Sequence, residues 1–170
     1  MIISEDRIRP LKAIALLFAT GFLSACLRVS STPQVSTSIT SNQARYLGDS
    51  IAKDLLTGDI NNLHQKLESA FRDSVSDQQL KSILQQMTEV YGKPINFEFK
   101  QEEVGSKVYA DGTTKAMRKL WYAAKTTKYE TGSHFLIVEI VLDGDELFVA
   151  SFAIVDFPLG VPDSLKSAGP

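Results

Sequence analysis

The sequence predicts an α+β domain, with three N-terminal helices packed on a curled four-stranded antiparallel sheet. Between Ser41 and Val90, apolar residues recur at helical spacing in three stripes, each preceded by a capping residue. From Ile95 onward, apolar residues alternate with polar ones or form short runs divided by turn residues, which is typical of strands joined as hairpins. Because the helices all precede the strands, we expect them to cover one face of the sheet.

Each helical stripe has its own start and stop signals. Ser41 is the candidate N-cap of the first stripe, which ends at Gly58, and Asp59 can cap the second. Ser76 and Gln79 form a capping-box pair before the third. The inward positions are Ala44, Leu47, Ile51, Ala52, Leu55 and Leu56, then Ile60, Leu63, Leu67 and Phe71, then Leu80, Ile83, Leu84, Met87 and Val90.

Four strands follow in the second half of the domain. The first alternates through Ile95, Phe97 and Phe99, and a turn-rich stretch around Gly105 and Asp111-Gly112 leads to the second. The remaining strands are predicted at roughly 117–129, 134–142 and 146–156, with turns at 131–133 and 143–145.

The first 25 residues predict an export signal. Arg7, Arg9 and Lys12 precede an apolar run over 13–23, and small residues precede Cys26. A charged start, a short apolar region and a small-residue cleavage site are the anatomy of a secretory signal. The apolar run is shorter than the ~20 residues that a membrane span needs, so we expect a targeting segment rather than a transmembrane helix.

The cleavage site Leu23-Ser24-Ala25-Cys26 resembles the lipobox of bacterial lipoproteins. The resemblance implies cleavage between Ala25 and Cys26, and a diacylglyceryl thioether on Cys26 with acyl chains such as palmitate. Cys26 is the only cysteine, so no disulfide can form within the chain. In Gram-negative lipoproteins an aspartate after the cysteine favours the inner membrane. Leu27 therefore implies the periplasmic face of the outer membrane.

The rest of the chain divides into a tether, a domain and a tail. The lipidated cysteine and a Ser/Thr-rich flexible tether occupy 26–40, one α+β domain occupies 41–157, and a Pro-containing loose tail occupies 158–170. Loss of 1–25 removes three basic and two acidic residues and changes the net charge from −2 to −3. This balance does not predict nucleic-acid binding.

Two stretches of sequence point to a family. AKDLLTGDINNLHQKL over 52–67 is similar to the opening of small bacterial lipoproteins of unknown role, and GDELFVASFAIVDF over 144–157 is similar to their closing hairpin. With the order of elements, these stretches resemble the nuclear-transport-factor-two-like superfamily, which includes ketosteroid isomerase. The resemblance implies a cone-shaped, cystatin-like fold, and it implies a function only weakly.

Glu139 is the candidate catalytic residue because it lies within the apolar run FLIVEIVL. A buried lone carboxylate has a raised pKa, which suits a general base. In the superfamily, pocket carboxylates on the concave sheet face transfer protons, and Tyr122 or Tyr129 would then donate hydrogen bonds. The other interpretation, which we favour, is a structural Glu139 that either forms an ion pair with Lys125 on the neighbouring strand or lies on a partly solvated face. A three-residue turn at 131–133 would place Lys125 opposite Glu139.

Both faces of the third strand are apolar. Leu136, Val138 and Ile140 form one face, and the other must line a ligand cavity or meet another chain, because helices can cover only one. The predicted ligand or interface residues on this second face, taken across the hairpin by alternation, are Phe135, Ile137, Glu139, Val141, Phe148 and Phe152.

The remaining polar groups predict little chemistry. The basic run over 115–128 contains no acid, and we interpret it as a strand edge guarded by lysine in preference to a surface that attracts anionic polymers. His64 and His134 have no cysteine or carboxylate at ligand spacing, so no metal site and no cofactor are predicted. The sequence also lacks a nucleophile elbow.

These observations predict a lipid-anchored envelope protein whose domain is a non-enzymatic binding module. It would bind an apolar small ligand or a partner protein at the sheet face, the partner being a second copy or another envelope protein. The alternative is a small proton-transfer enzyme of ketosteroid-isomerase type that uses Glu139.

Overall fold

The computed structural model describes residues 39–156. The predicted signal segment 1–25, the lipidation site Cys26 and the predicted tail 158–170 lie outside the described residues. The end of the predicted tether lies within them. Ile39 is buried in the core with 5% of its surface exposed. The folded domain therefore begins before the predicted boundary at Ser41.

Helix α1 spans Ser41–Thr57 and is capped by Thr40, so the predicted N-cap at Ser41 is wrong. The Thr40 hydroxyl accepts a hydrogen bond from the backbone N–H of Gln43, and the Gln43 side chain accepts one from the backbone N–H of Thr40. Thr40 and Ser41 are both residue types that can cap a helix. Thr40 is the cap because Gln43, three residues later, completes a capping box with it. The helix ends at Gly58, as predicted.

The second predicted helix is interrupted. It consists of α2, Ile60–Gln65, and α3, Ser69–Arg72. Between them Leu67 forms a parallel bridge with Val149, in which the N–H of Glu68 donates to the carbonyl of Val149 at 2.9 Å. A sheet edge left open would expose unpaired backbone groups, and this pairing satisfies some of them.

Helix α4 spans Asp77–Tyr91 and confirms the predicted capping box. The Ser76 hydroxyl accepts from the N–H of Gln79, and the Gln79 side chain accepts from the N–H of Ser76 at 2.8 Å. The predicted cap of the second helical region is also confirmed, because the Asp59 carboxylate accepts from the N–H of Asn62 at 3.1 Å.

The sheet is an antiparallel meander with strand order β1-β2-β3-β4. The predicted turn around Gly105 is wrong, because β1 continues to Val108 and the chain turns over 109–113. The second strand ends at Thr126, so the connection to the third is longer than the predicted turn at 131–133. The strands are β1 Pro94–Val108, β2 Thr114–Thr126, β3 His134–Asp143 and β4 Glu146–Asp156.

The helices pack against one face of the sheet, which we call the helix face. Leu136, Val138 and Ile140 of β3 are fully buried there with residues of the helices. The opposite face, which we call the second face, carries a separate cluster composed of strand residues, namely Trp121, Ala123, Phe135, Ile137 and Val155. Among the helices of residues 39–156, none has the length and apolarity of a membrane span.

Helix α1 approaches the sheet most closely at Gly48. A Cβ atom at this position would overlap Leu120 Cδ1 and lie 2.5 Å from the Tyr122 hydroxyl oxygen. The Tyr122 hydroxyl donates to the Asp49 carboxylate at 2.9 Å. Burial raises the pKa of Tyr122, and the hydrogen bond to Asp49 raises it further. Position 48 therefore requires glycine because the neighbouring side chains leave no room for a Cβ atom, and not because of an unusual backbone conformation.

Candidate functional site

The predicted sheet-face site is divided between the two faces. Glu139 lies opposite Ser151 of β4, and Val141 lies opposite Phe148. Phe135 and Val141 are buried, whereas Ile137 and Phe148 are half-buried. Phe135, Ile137, Glu139, Val141 and Phe148 belong to the second face, as predicted.

Phe152 was predicted for this face and lies on the other one. It pairs with Val138 and packs against the main core beneath the helices. The register of β3 and β4 shifts between Glu139 and Ile140, and Ala150 is the extra residue of the resulting bulge. A bulge reverses the alternation of side chains beyond it, so Phe148 and Phe152 point to opposite faces.

Glu139 is surrounded by groups that stabilise its charged form. Lys107 Nζ lies 3.2 Å from Glu139 Oε2, and Lys119 Nζ lies 3.4 Å from Oε1. The Ser151 hydroxyl donates to Oε2 at 2.8 Å. Burial raises the pKa of Glu139, but the Ser151 hydrogen bond and the two lysine charges outweigh burial and hold the pKa below its ordinary value of 4.5.

The predicted partner of Glu139 is wrong in identity, although ion pairing is observed. Lys119 is the residue opposite Glu139, and Lys125 instead pairs with Glu130 at 2.9 Å. The connection over 127–133 is longer than a three-residue turn, which displaces the register. Tyr122, considered as a hydrogen-bond donor to a substrate, instead donates to Asp49 on the helix face. Tyr129 packs against His134, with ring centroids 4.1 Å apart.

The apolar cluster of the second face is centred on Trp121. Trp121 and Phe135 are packed edge to face with ring centroids 6.3 Å apart, and 2% and 4% of their surfaces are exposed. Among the described residues, no acceptor lies within hydrogen-bond distance of the Trp121 indole N–H. The second face is therefore largely covered at these positions.

The basic run of β2 is neutralised by acids from other elements. β2 lies between β1 and β3, so the prediction of a guarded strand edge is wrong. Arg118 contacts Glu102 at 2.8 Å, and its Nε donates to the Ile39 carbonyl at 2.6 Å. Because its other members form ion pairs or hydrogen bonds as well, the run presents no continuous positive surface within the described residues.

One pairing within that run is buried and was not predicted. Lys115 Nζ lies 2.6 Å from Glu68 and 3.0 Å from Asp143. The Tyr109 hydroxyl donates to both carboxylate oxygens of Glu68 at 2.9 and 2.8 Å. Burial and this hydrogen bond raise the pKa of Tyr109, so it stays protonated. Glu68 joins the α2–α3 connection to the β1–β2 turn, a contact that sequence spacing cannot indicate.

A second unpredicted cluster links α1 to the end of α2. Lys66 Nζ lies 2.5 Å from the Asp54 carboxylate and also donates to the Ser50 hydroxyl. Asn62 Nδ2 donates to the other Asp54 oxygen at 2.8 Å. A serine beside a lysine can form a nucleophile and base, but that lysine must be neutral to accept a proton. Here Lys66 Nζ donates to Asp54 as well as to Ser50, so we interpret the cluster as an ion pair between helices.

A concave groove lies at the end of the helix layer, and no sequence pattern indicated it. Its volume is about 470 Å³. It is bounded by the C-terminal ends of α1 and α4, the start of β1 and the end of β4. We call it the α1–α4 groove; its apolar lining includes Leu55, Ile60, Leu84, Met87, Phe97 and Ile154.

The two histidines take part in contacts between elements. His64 Nδ1 lies 2.6 Å from Asp77, and its Nε2 lies 3.1 Å from the carbonyl of Arg72. His134 Nε2 lies 2.9 Å from Asp156. Over residues 39–156, no group of three or more His, Cys, Asp or Glu side chains could hold a metal ion.

Comparison with known proteins yields a solved structure and no family. No family model matches the sequence, and no curated protein matches it. The chain is similar to the 1.8 Å structure of Aln2 from a Streptomyces species, with a TM-score of 0.41 and 9% identity over 66% of this chain and 87% of that one. A likeness at this level supports no statement about function.

Proposed function

We propose that this chain is a lipid-anchored protein of the cell envelope, whose α+β domain is a non-enzymatic binding module. The lipobox at Leu23–Cys26 supports the anchor, and Leu27 supports the periplasmic face of the outer membrane in a Gram-negative host. Two or three acyl chains on Cys26 would hold the protein stably at the bilayer. In the same proposal the fold is the cone-shaped type of the nuclear-transport-factor-two-like superfamily, with α2 and α3 as one interrupted helix.

The observation that carries the binding function is the α1–α4 groove. Ligand sites are concave and mostly apolar, with volumes of about 300–1,000 Å³ and a few polar groups. The groove meets this description, because aliphatic and aromatic side chains from five elements line about 470 Å³. We therefore place the ligand in this groove rather than on the second face of the sheet, where Trp121 and Phe135 are already buried.

A partner protein at the second face is the other form of this proposal. Ile137 and Val155 are half-buried there, and Ala153 is exposed. A second copy of the chain or another envelope protein would cover these positions. The burial of Trp121, Phe135 and Val141 on this face favours the ligand groove, since stable interfaces bury about 800 Å² per partner.

The proton-transfer alternative is disfavoured by the surroundings of Glu139. A catalytic base at neutral pH works best with a pKa near the working pH. Lys107, Lys119 and Ser151 hold the pKa of Glu139 below 4.5, so the carboxylate is a weak base. Both carboxylate oxygens of Glu139 already form ion pairs or hydrogen bonds, so a substrate would have to displace one of these partners before it could transfer a proton.

Two measurements test the proposal. The first compares the wild-type chain with Cys26→Ser in a bacterial host, by mass spectrometry and membrane fractionation. We expect the wild type to carry acyl mass and sediment with membranes, and the variant to lose the acyl mass. A wild-type protein without acyl mass would refute the anchor.

The second measurement is native mass spectrometry of the mature protein extracted from its own envelope in mild detergent. A retained small molecule that is lost in Met87→Trp, which fills the α1–α4 groove, supports the ligand module. A dimer or a foreign protein without a small molecule would move the function to the second face. Turnover that Glu139→Gln abolishes would establish the enzyme instead.

A further inference from the structure

The polar lining of the α1–α4 groove contains two lysines that are free to bind a ligand. Lys81 lies on α4 and Lys93 follows its end, and both line the groove. Among the described lysines, ion pairs or hydrogen bonds engage every ammonium group except those of Lys53, Lys81 and Lys93. Two of these three face the same concavity, and its described lining includes no acid.

The other polar side chains of the lining are already committed. The Thr57 hydroxyl donates to the Lys53 carbonyl at 3.0 Å, and the Thr88 hydroxyl donates to the Leu84 carbonyl at 2.9 Å. Gln85 donates its amide N–H to Glu89 at 3.1 Å. The lysines are therefore the groups in the described lining that can supply a new, strong polar contact to a ligand.

The helix ends beside the groove oppose an anion only weakly. The C-terminus of a helix carries about half a negative charge, and α1 and α4 both end here. Hydrogen bonds to the last carbonyl groups of a helix reduce that partial charge. The N–H of Gly92 donates to Thr88, and the ammonium of Lys128 donates to Glu89. Two full positive charges outweigh these partial negative ones.

Resting on the proposed binding function, we propose that the α1–α4 groove binds a free long-chain fatty acid. The acyl chain lies along α4 among Leu84, Met87 and Phe97. The carboxylate lies at one end of the groove beside Lys81 or Lys93, which are separated by about 15 Å along α4. Burial of the methylene groups supplies most of the affinity. The lysines select an anionic head group over a neutral one, because an ammonium ion attracts a carboxylate and offers no acceptor.

The test uses the full-length lipidated protein in mild detergent, with palmitic acid and methyl palmitate as probes, and native mass spectrometry to measure occupancy. One exposed ion pair contributes up to about 1 kcal/mol, which is about fivefold in affinity. We expect palmitic acid to bind with one molecule per chain and up to about fivefold more tightly than methyl palmitate. The double variant Lys81→Gln/Lys93→Gln should lose this preference.

The matched control is Lys53→Gln, which removes an exposed and unpaired lysine of α1 that does not line the groove. It should leave the preference unchanged. Met87→Trp, checked for folding by circular dichroism, should abolish binding of both probes.

The outcomes separate this inference from the proposed function. If both probes bind equally and Met87→Trp abolishes both, the fatty acid is refuted and the groove remains a binding site. If a co-purified phospholipid resists displacement by palmitic acid, the fatty acid is also refuted. If neither probe binds, or Met87→Trp changes nothing, this inference fails and the proposed function fails with it at this groove.

Discussion

Replacement of Gly48 by alanine tests the closest contact between the helix layer and the sheet. Glycine inside a helix costs about 1 kcal/mol relative to alanine, so this substitution normally stabilises a protein. At this site the added methyl group would overlap Leu120 Cδ1 and crowd the Tyr122 hydroxyl at 2.5 Å. Leu120 and Tyr122 have 0% and 1% of their surfaces exposed, so neither can move into solvent.

The size of the effect follows from two opposing sets of terms. Overpacking a filled core costs about 1–3 kcal/mol. Displacement of Tyr122 from Asp49 would leave a buried hydroxyl without a partner, at about 1–3 kcal/mol. Improved helix propensity returns about 1 kcal/mol. We therefore expect Gly48→Ala to lower the free energy of unfolding by about 1–5 kcal/mol.

Urea denaturation followed by circular dichroism and by the fluorescence of Trp121, the single tryptophan, measures this change. Lys53→Ala, at an exposed position of the same helix, is the control and should change stability by less than about 0.5 kcal/mol. A Gly48→Ala protein as stable as the wild type, or more stable, would refute the close packing of α1 on β2.

Three further predictions concern the ion pairs and the bulge. The folded pKa of Glu139 lies below its ordinary value of 4.5, so its charge stabilises the fold above pH 4.5, and this contribution is lost as the pH falls through the folded pKa. Glu139→Gln should remove this part of the acid destabilisation, as measured by acid unfolding curves. Lys66→Met should lower the free energy of unfolding by about 3–5 kcal/mol, because it leaves the buried Asp54 carboxylate unpaired. Phe152→Ala should cost about 3–5 kcal/mol in thermal unfolding, as expected for a side chain packed on the main core.

Each of these predictions has a matched comparison. An unchanged acid midpoint in Glu139→Gln would remove the basis for disfavouring a catalytic Glu139. The exposed pair Lys125–Glu130 is the control for Lys66, and its loss should cost at most about 1 kcal/mol. If Lys66→Met costs no more than Lys125→Met, the Asp54 pair is not buried in solution. A Phe152→Ala protein that unfolds at the wild-type temperature would contradict the position of Phe152 on the helix face.

The helix and strand assignments were largely predictable, because they depend on neighbours within a few residues. The Ser76–Gln79 capping box and the Asp59 cap were both predicted from short spacings and both are observed. The errors lie where a distant residue intervenes. The second helix breaks because Leu67 pairs with Val149, which is far away in the sequence but adjacent in the sheet.

The errors within the predicted site, in the face of Phe152 and the partner of Glu139, have the same cause. Alternation along one strand correctly grouped Phe135, Ile137 and Val141, but transfer of that pattern to the next strand required the register. The bulge at Ala150 has no sequence signature and places Phe152 on the helix face. The partner of Glu139 also depended on the length of a connection that turn residues alone did not define.

By itself the sequence determined the α+β class and the helical and strand periods, because each is encoded in residues that are close together along the chain. The export signal and the lipobox are also read from neighbouring residues, and they stay predictions. Only the tertiary structure decided which charges are paired, which face Phe152 occupies, and that a groove lies between the ends of α1 and α4. These features depend on register and on packing between distant segments. Such contacts form only when the chain has closed on itself, and local spacing does not specify them.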